Sequence, residues 1–235
     1  MKIVVKKGNV SEVAADVVIV NLFEKVKEPS GVTQQIDKAL KGLVGRLIKT
    51  GEITGKLGKT TLIHSQGRFK ADRVIVVGLG PQKDFGSNEV RQAAAASLKM
   101  ARSIKAKKVA TVVHGGGAGG LDLAEASAAL VEGILLGLYS YKGYHEKSKK
   151  EDNGDKTKIE SVEIIERDAQ KIRAISNGVR EGQIVSDGVN RARDLVNTPS
   201  NKKTPAMLAA YARGLAKDAK LKITVLEKDQ VRRMG

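Results

Sequence analysis

The residues that most invite a chemical reading are Gly115-Gly116-Gly117-Ala118-Gly119-Gly120. Gly115, Gly117 and Gly120 satisfy G-x-G-x-x-G, a spacing that brings backbone N–H groups onto a phosphate when it joins a strand to a helix. The local context fits, because an apolar run ends at Val113 and a helical pattern starts near Asp122. Two features weaken the match. Five glycines in six positions satisfy almost any glycine pattern, and the acid needed about 20 residues further on is absent, the chain there reading Leu138-Tyr139-Ser140-Tyr141. The turn is therefore read as a flexible strand–helix connection. Gly58-Lys59-Thr60 resembles the end of a phosphate-binding loop, but position 53 is Ile where that loop needs Gly. His64, His114 and His145 lie far apart with no acid or second His at ligand spacing. His64 and His114 end apolar runs and read as hydrogen-bonded structural residues. No serine sits in G-x-S-x-G, and there is no Cys, which removes thiolate catalysis and Cys-based metal sites. Asp187 and Asp194 share a helical face with Arg191 between them, the pattern of an i,i+4 ion-pair ladder.

Bulk composition narrows the classes further. The 235 residues are 41% hydrophobic but 3% aromatic, so any core is aliphatic. The formal charge of +16 invites a nucleic-acid reading. However, the excess is spread along the chain, and no aromatic residues interleave with it to stack bases. It reads as a basic, solvated surface. No apolar run reaches the length of a membrane span, and Met1–Lys7 does not read as a signal peptide. The expectation is a soluble, cytoplasmic protein.

The elements that must position these residues alternate. Lys2–Lys6, Asp16–Leu22, Thr60–His64, Arg73–Val77, Lys108–Val113 and Ser161–Ile165 read as strands, and Val32–Lys49 as one helix on its apolar stripe. A helix opens at Asn88 as N-cap and runs to about Ser103; Asp122 or a neighbour caps another over Leu123–Tyr139. Residues 142–158 are charged and aperiodic, a solvated loop. Asp168–Asn197 is one long helix. Thr204 caps a helix over Ala206–Lys217 with Pro205 at its first position, Lys222–Leu226 is a strand, and a helix begins at Lys228. This rhythm predicts an α/β fold with a mostly parallel or mixed sheet flanked by helices.

The most specific string is Arg191-Ala192-Arg193-Asp194-Leu195-Val196-Asn197-Thr198-Pro199-Ser200-Asn201-Lys202-Lys203-Thr204-Pro205. It resembles the segment that opens the catalytic domain of leucyl aminopeptidases, the cytosol aminopeptidase family. Ala124–Tyr144 is similar to the end of that family's first domain. The resemblance implies a macro-domain-like mixed sheet over residues 1–167, a linker helix over 168–197, and the first helix and strand of a second α/β domain over 198–235. It implies a parent enzyme that hydrolyses peptides from their N-termini with two divalent ions, Mn²⁺ or Zn²⁺, and assembles as a hexamer. The family's ligands lie in strings resembling V-G-K-G-x-x-F-D-S-G-G and N-T-D-A-E-G-R, and neither occurs here. No catalytic, cofactor-binding or metal-ligating residue is therefore assigned, and this chain is expected to be inactive alone. A ligand- or nucleic-acid-binding macro-like module is the alternative. Because residues from about 183 onward should pack on a catalytic core, Leu195, Leu208, Leu215 and Val225 are expected to be exposed.

Overall fold

The computed structural model describes residues 1–116, 119–141, 143 and 158–235. Two compact units result, one holding Met1–Ser140 and the described residues up to Asn190, the other Arg191–Gly235 with Tyr141.

The first unit is built on six strands, β1 (Lys2–Lys7), β2 (Val17–Leu22), β3 (Thr60–His64), β4 (Arg73–Gly78), β5 (Lys108–Thr111) and β6 (Ser161–Glu166). Their order is β1-β6-β5-β2-β4-β3, with β3 antiparallel to β4 and every other pair parallel. Alternate side chains of each strand enter opposite cores. Val18 and Val20 join Ile36, Leu40 and Val44 on one face; Val17 and Ile19 join Leu98, Leu130 and Ile134 on the other. Val17, Val18, Ile19 and Val20 are all fully buried, the signature of a strand covered on both faces. Each such side chain contributes roughly 1.5–3 kcal/mol by leaving water.

The helices supply the covering layers. α1 (Gly31–Ala39) and α2 (Leu43–Lys49) cover the first face; α3 (Ser87–Ser103), α4 (Leu123–Gly137) and the start of α5 (Ile172–Asn197) cover the second. α5 approaches α4 closely: a Cβ at Gly178 would stand 2.0 Å from the Ala124 carbonyl oxygen, so only glycine fits there. Arg91 of α3 and Glu132 of α4 form an ion pair across their contact.

Three expectations change. The single helix over Val32–Lys49 is two helices, because Lys41 (φ 55°) and Gly42 (φ 78°) turn left-handed between them. α3 is capped at Gly86, not Asn88: the Gly86 N–H donates to Glu89 Oε2 at 2.9 Å, and Asn88 lies inside the first turn. Lys222–Leu226 is no strand. It forms no regular element, and no described strand lies beside it to receive its backbone hydrogen bonds.

The second unit contains the end of α5, α6 (Pro205–Asp218) and α7 (Lys228–Arg233). Of the large hydrophobics standing exposed among the described residues, all but Met1 lie at position 184 or beyond. Leu208 and Leu215 are exposed as anticipated, whereas Leu195 and Val225 are half-buried. No described helix is long and apolar enough to cross a membrane.

Candidate functional site

The sheet opens a crevice between β2 and β5. These strands are parallel neighbours, yet the helix after β2 covers one face and the helix after β5 covers the other. Two connections that part in this way leave a gap outside the carboxyl ends of the strands. A cavity of about 290 Å³ lies there. Asn21 to Phe23 and Val112 to Val113 form its floor, Ser30 to Thr33 one wall, and Ile165 to Arg167 with Lys171 another. Thr33 Oγ1 donates to the Asn21 carbonyl at 2.7 Å and ties α1 to the end of β2. Ser30, the N-cap of α1, makes no side-chain capping bond.

The glycine-rich turn borders this crevice through Gly115 and Gly116. Its glycines have a packing reason. Phe85 stands edge-on to Phe23, with ring centroids 5.0 Å apart, and the turn closes over the Phe85 ring. A Cβ at Gly115 would lie 2.2 Å from that ring, and its φ of +71° is left-handed as well. A side chain at Gly119 would meet the same ring at 2.4 Å. Gly117 lies outside the described residues.

Of the histidines, His64 is exposed at the end of β3, and His145 lies outside the described residues. His114 is fully buried. Its Nε2 is 3.4 Å from Thr111 Oγ1, while Nδ1 has no hydrogen-bond partner among the described residues. Burial pushes its pKa down to about 4. Asp187, Arg191 and Asp194 each have a polar or electrostatic partner.

The string from Arg191 to Pro205 forms a corner between helices. Thr198 ends α5, its N–H donating to the Asp194 carbonyl at 3.0 Å and its Oγ1 to the same oxygen at 2.7 Å. The N–H groups of Lys202 and Lys203 both reach the Pro199 carbonyl at 2.9 Å. Thr204 caps α6 by accepting from the Met207 N–H at 3.2 Å, and Pro205 takes the first helical position. Tyr141 donates its hydroxyl to Thr198 Oγ1 at 3.4 Å. No group of three His, Asp or Glu side chains converges among the described residues, so these residues do not fit a two-metal centre.

Residues 19–148 match the model of the cytosol aminopeptidase family, N-terminal domain. The chain belongs to the cytosol aminopeptidase family. The chain is 34% identical, over all of its length, to a probable cytosol aminopeptidase of Geobacter sp. strain M21, of which it spans 46%. It thus covers about half the length of the curated relatives it matches. Among solved structures, it resembles a tomato leucine aminopeptidase mutant (TM-score 0.78, 24% identity, 99% of this chain and 46% of that one). The bottromycin maturation enzyme BotP in complex with Mn aligns with TM-score 0.69 and 26% identity over 94% of this chain and 40% of that one. A Trypanosoma brucei macrodomain in complex with ADP shares the fold alone, with TM-score 0.57 and 13% identity over 76% of this chain and 69% of that one. The fold is accordingly the mixed sheet flanked by helices that the residues implied, and macro-domain-like as the family resemblance implied.

The crevice was missed in the sequence. Arg167 and Lys171 sit in an unremarkable stretch, and only the strand order brings them beside the end of β2.

Proposed function

We propose that the parent of this chain is a cytoplasmic metallo-aminopeptidase that removes N-terminal amino acids from peptides with two divalent ions, and that this chain supplies its non-catalytic front portion. Residues 1–167 form the macro-like domain, 168–197 the linker helix, and 198–235 the entry to the catalytic domain. Its part is structural, shaping the assembly and substrate access of a hexameric parent. One observation carries this reading: the family's N-terminal domain model matches residues 19–148, in a chain that spans 46% of its relative. The exposed apolar side chains beyond position 183 support it, because a parent would cover them.

An assay with leucine p-nitroanilide and Mn²⁺ tests the claim. The chain alone is expected to give no turnover above buffer. Metal-dependent turnover that a chelator abolishes would overturn the non-catalytic assignment. Catalysis requires lowering a barrier by roughly 8 kcal/mol or more, which a contaminant-free preparation would make plain.

A further inference from the structure

The sheet ends in two edge strands of opposite character. β1 forms one edge and carries Lys2, Lys6 and Lys7, all exposed. Lysines along an edge guard it against pairing with another chain. β3 forms the other edge, and Thr60-Thr61-Leu62-Ile63-His64 holds no Lys, Pro or Gly. The register with β4 fixes which backbone groups point out. The Ser65 N–H donates to the Asp72 carbonyl, and the Gly78 N–H to the Lys59 carbonyl, each at 2.9 Å. Bonded pairs recur at every second residue, so Thr61 and Ile63 also turn their N–H and C=O groups toward β4. Thr60, Leu62 and His64 turn theirs outward. Those outward groups have no hydrogen-bond partner among the described residues.

A second copy of the same strand is their complement. Two β3 strands related by a two-fold axis at Leu62 run antiparallel, with Thr60 opposite the second copy's His64 and Leu62 opposite Leu62. Each outward N–H then meets an outward C=O. The same register orders charge. Lys59 falls opposite the second copy's Ser65, whose neighbour on the strand behind is Asp72. Lys59 and Asp72 are exposed, and neither is in an ion pair among the described residues. The two-fold therefore brings each Lys59 ammonium toward an Asp72 carboxylate of the other copy. We infer that two copies of this chain join through β3 into one continuous sheet. Each edge that remains is the lysine-bearing β1, so the assembly closes at a dimer and does not grow into a fibre. A strand pair buries little area, which makes the dimer weak and concentration-dependent. No part of this depends on the aminopeptidase reading.

Sedimentation velocity on the full chain, from micromolar to millimolar concentration at about 150 mM salt, should show monomer giving way to dimer. Amide hydrogen exchange followed by NMR locates the contact. Protection of the Thr60, Leu62 and His64 amides should rise with concentration, while those of Thr61 and Ile63 stay protected throughout. The exposed apolar side chains beyond position 183 are the rival cause of association. Thr60→Pro removes an outward N–H and no bond to β4, so it should weaken the dimer about tenfold or more at an unchanged urea midpoint. Charge gives an independent test of sign. K59E lowers the net charge and D72K raises it, so diffuse repulsion between copies of charge +16 predicts opposite effects. Pairing through β3 predicts that both weaken the dimer and that K59E/D72K restores it. A chain that stays monomeric at every concentration overturns the inference. So does a dimer whose Thr60, Leu62 and His64 amides remain unprotected, and so do opposite effects of K59E and D72K.

Discussion

In the unit built on the sheet, Val18, Ile75 and Leu98 are sealed from water between two helical layers. In Arg191–Gly235, Ala216 is the buried apolar residue among those described, while Val196, Leu221 and Met234 stand 65–76% exposed. Both regions form regular helices with proper caps. What separates them is layering. A sheet gives each flanking helix a broad apolar surface to cover, whereas the described residues of Arg191–Gly235 include no strand for α6 and α7 to cover. Local propensity and capping make a helix, but burial of an apolar face makes a stable one. The second unit has more apolar surface than it can cover by itself.

Limited trypsin digestion should show this difference most sharply. Early cuts are expected in the exposed stretch around Lys220 and Lys222, leaving a resistant fragment that retains the sheet. Uniform resistance through Arg233 would show that the second unit is as well packed as the first. Substitution gives the next largest contrast. Leu98→Ala should cost about 3 kcal/mol in urea unfolding, because it leaves a cavity in a fully buried site. Leu208→Ala, at a residue 40% exposed, should cost less than about 0.5 kcal/mol. Equal losses would erase the distinction between the two regions.

The buried imidazole of His114 gives a somewhat smaller and pH-dependent effect. Its pKa falls from 6.5 to about 4 on folding. Between those values the unfolded chain holds the proton and the folded one does not, so stability rises with pH across that window. It is fully present above pH 6.5 and is lost as pH falls toward 4, with a total on the order of 3 kcal/mol. Urea midpoints at pH 7 and pH 4.5 measure this. His114→Leu should flatten the slope, and a slope that persists in that variant would place its origin elsewhere.

Much of the first unit was legible because its signals are local. The alternating Val and Ile of β2 and β4 mark strands buried on both faces, and Asp122 and Thr204 announce their helices by capping them. The break at Lys41-Gly42 was hidden because Leu43, Val44 and Leu47 continue the same apolar stripe across it. Gly86 escaped notice as a cap because it has no side chain; the signal was Glu89 three residues on, reaching back to it. Lys222–Leu226 carries a strand's pattern, but a strand exists only beside another. The crevice was illegible for a deeper reason. It is a product of strand order, and no local pattern records that β2 ends beside β5.

That same order has a consequence for how the chain is made. β1 leaves the ribosome well before β6, the strand it pairs with, with Lys2 opposite Ser161 and Lys7 opposite Glu166. At about 5–20 residues per second, its partner emerges roughly 10–30 s later. Until then the nascent strand must wait with its backbone unpaired, and the ammonium groups of Lys2, Lys6 and Lys7 discourage other chains from joining it.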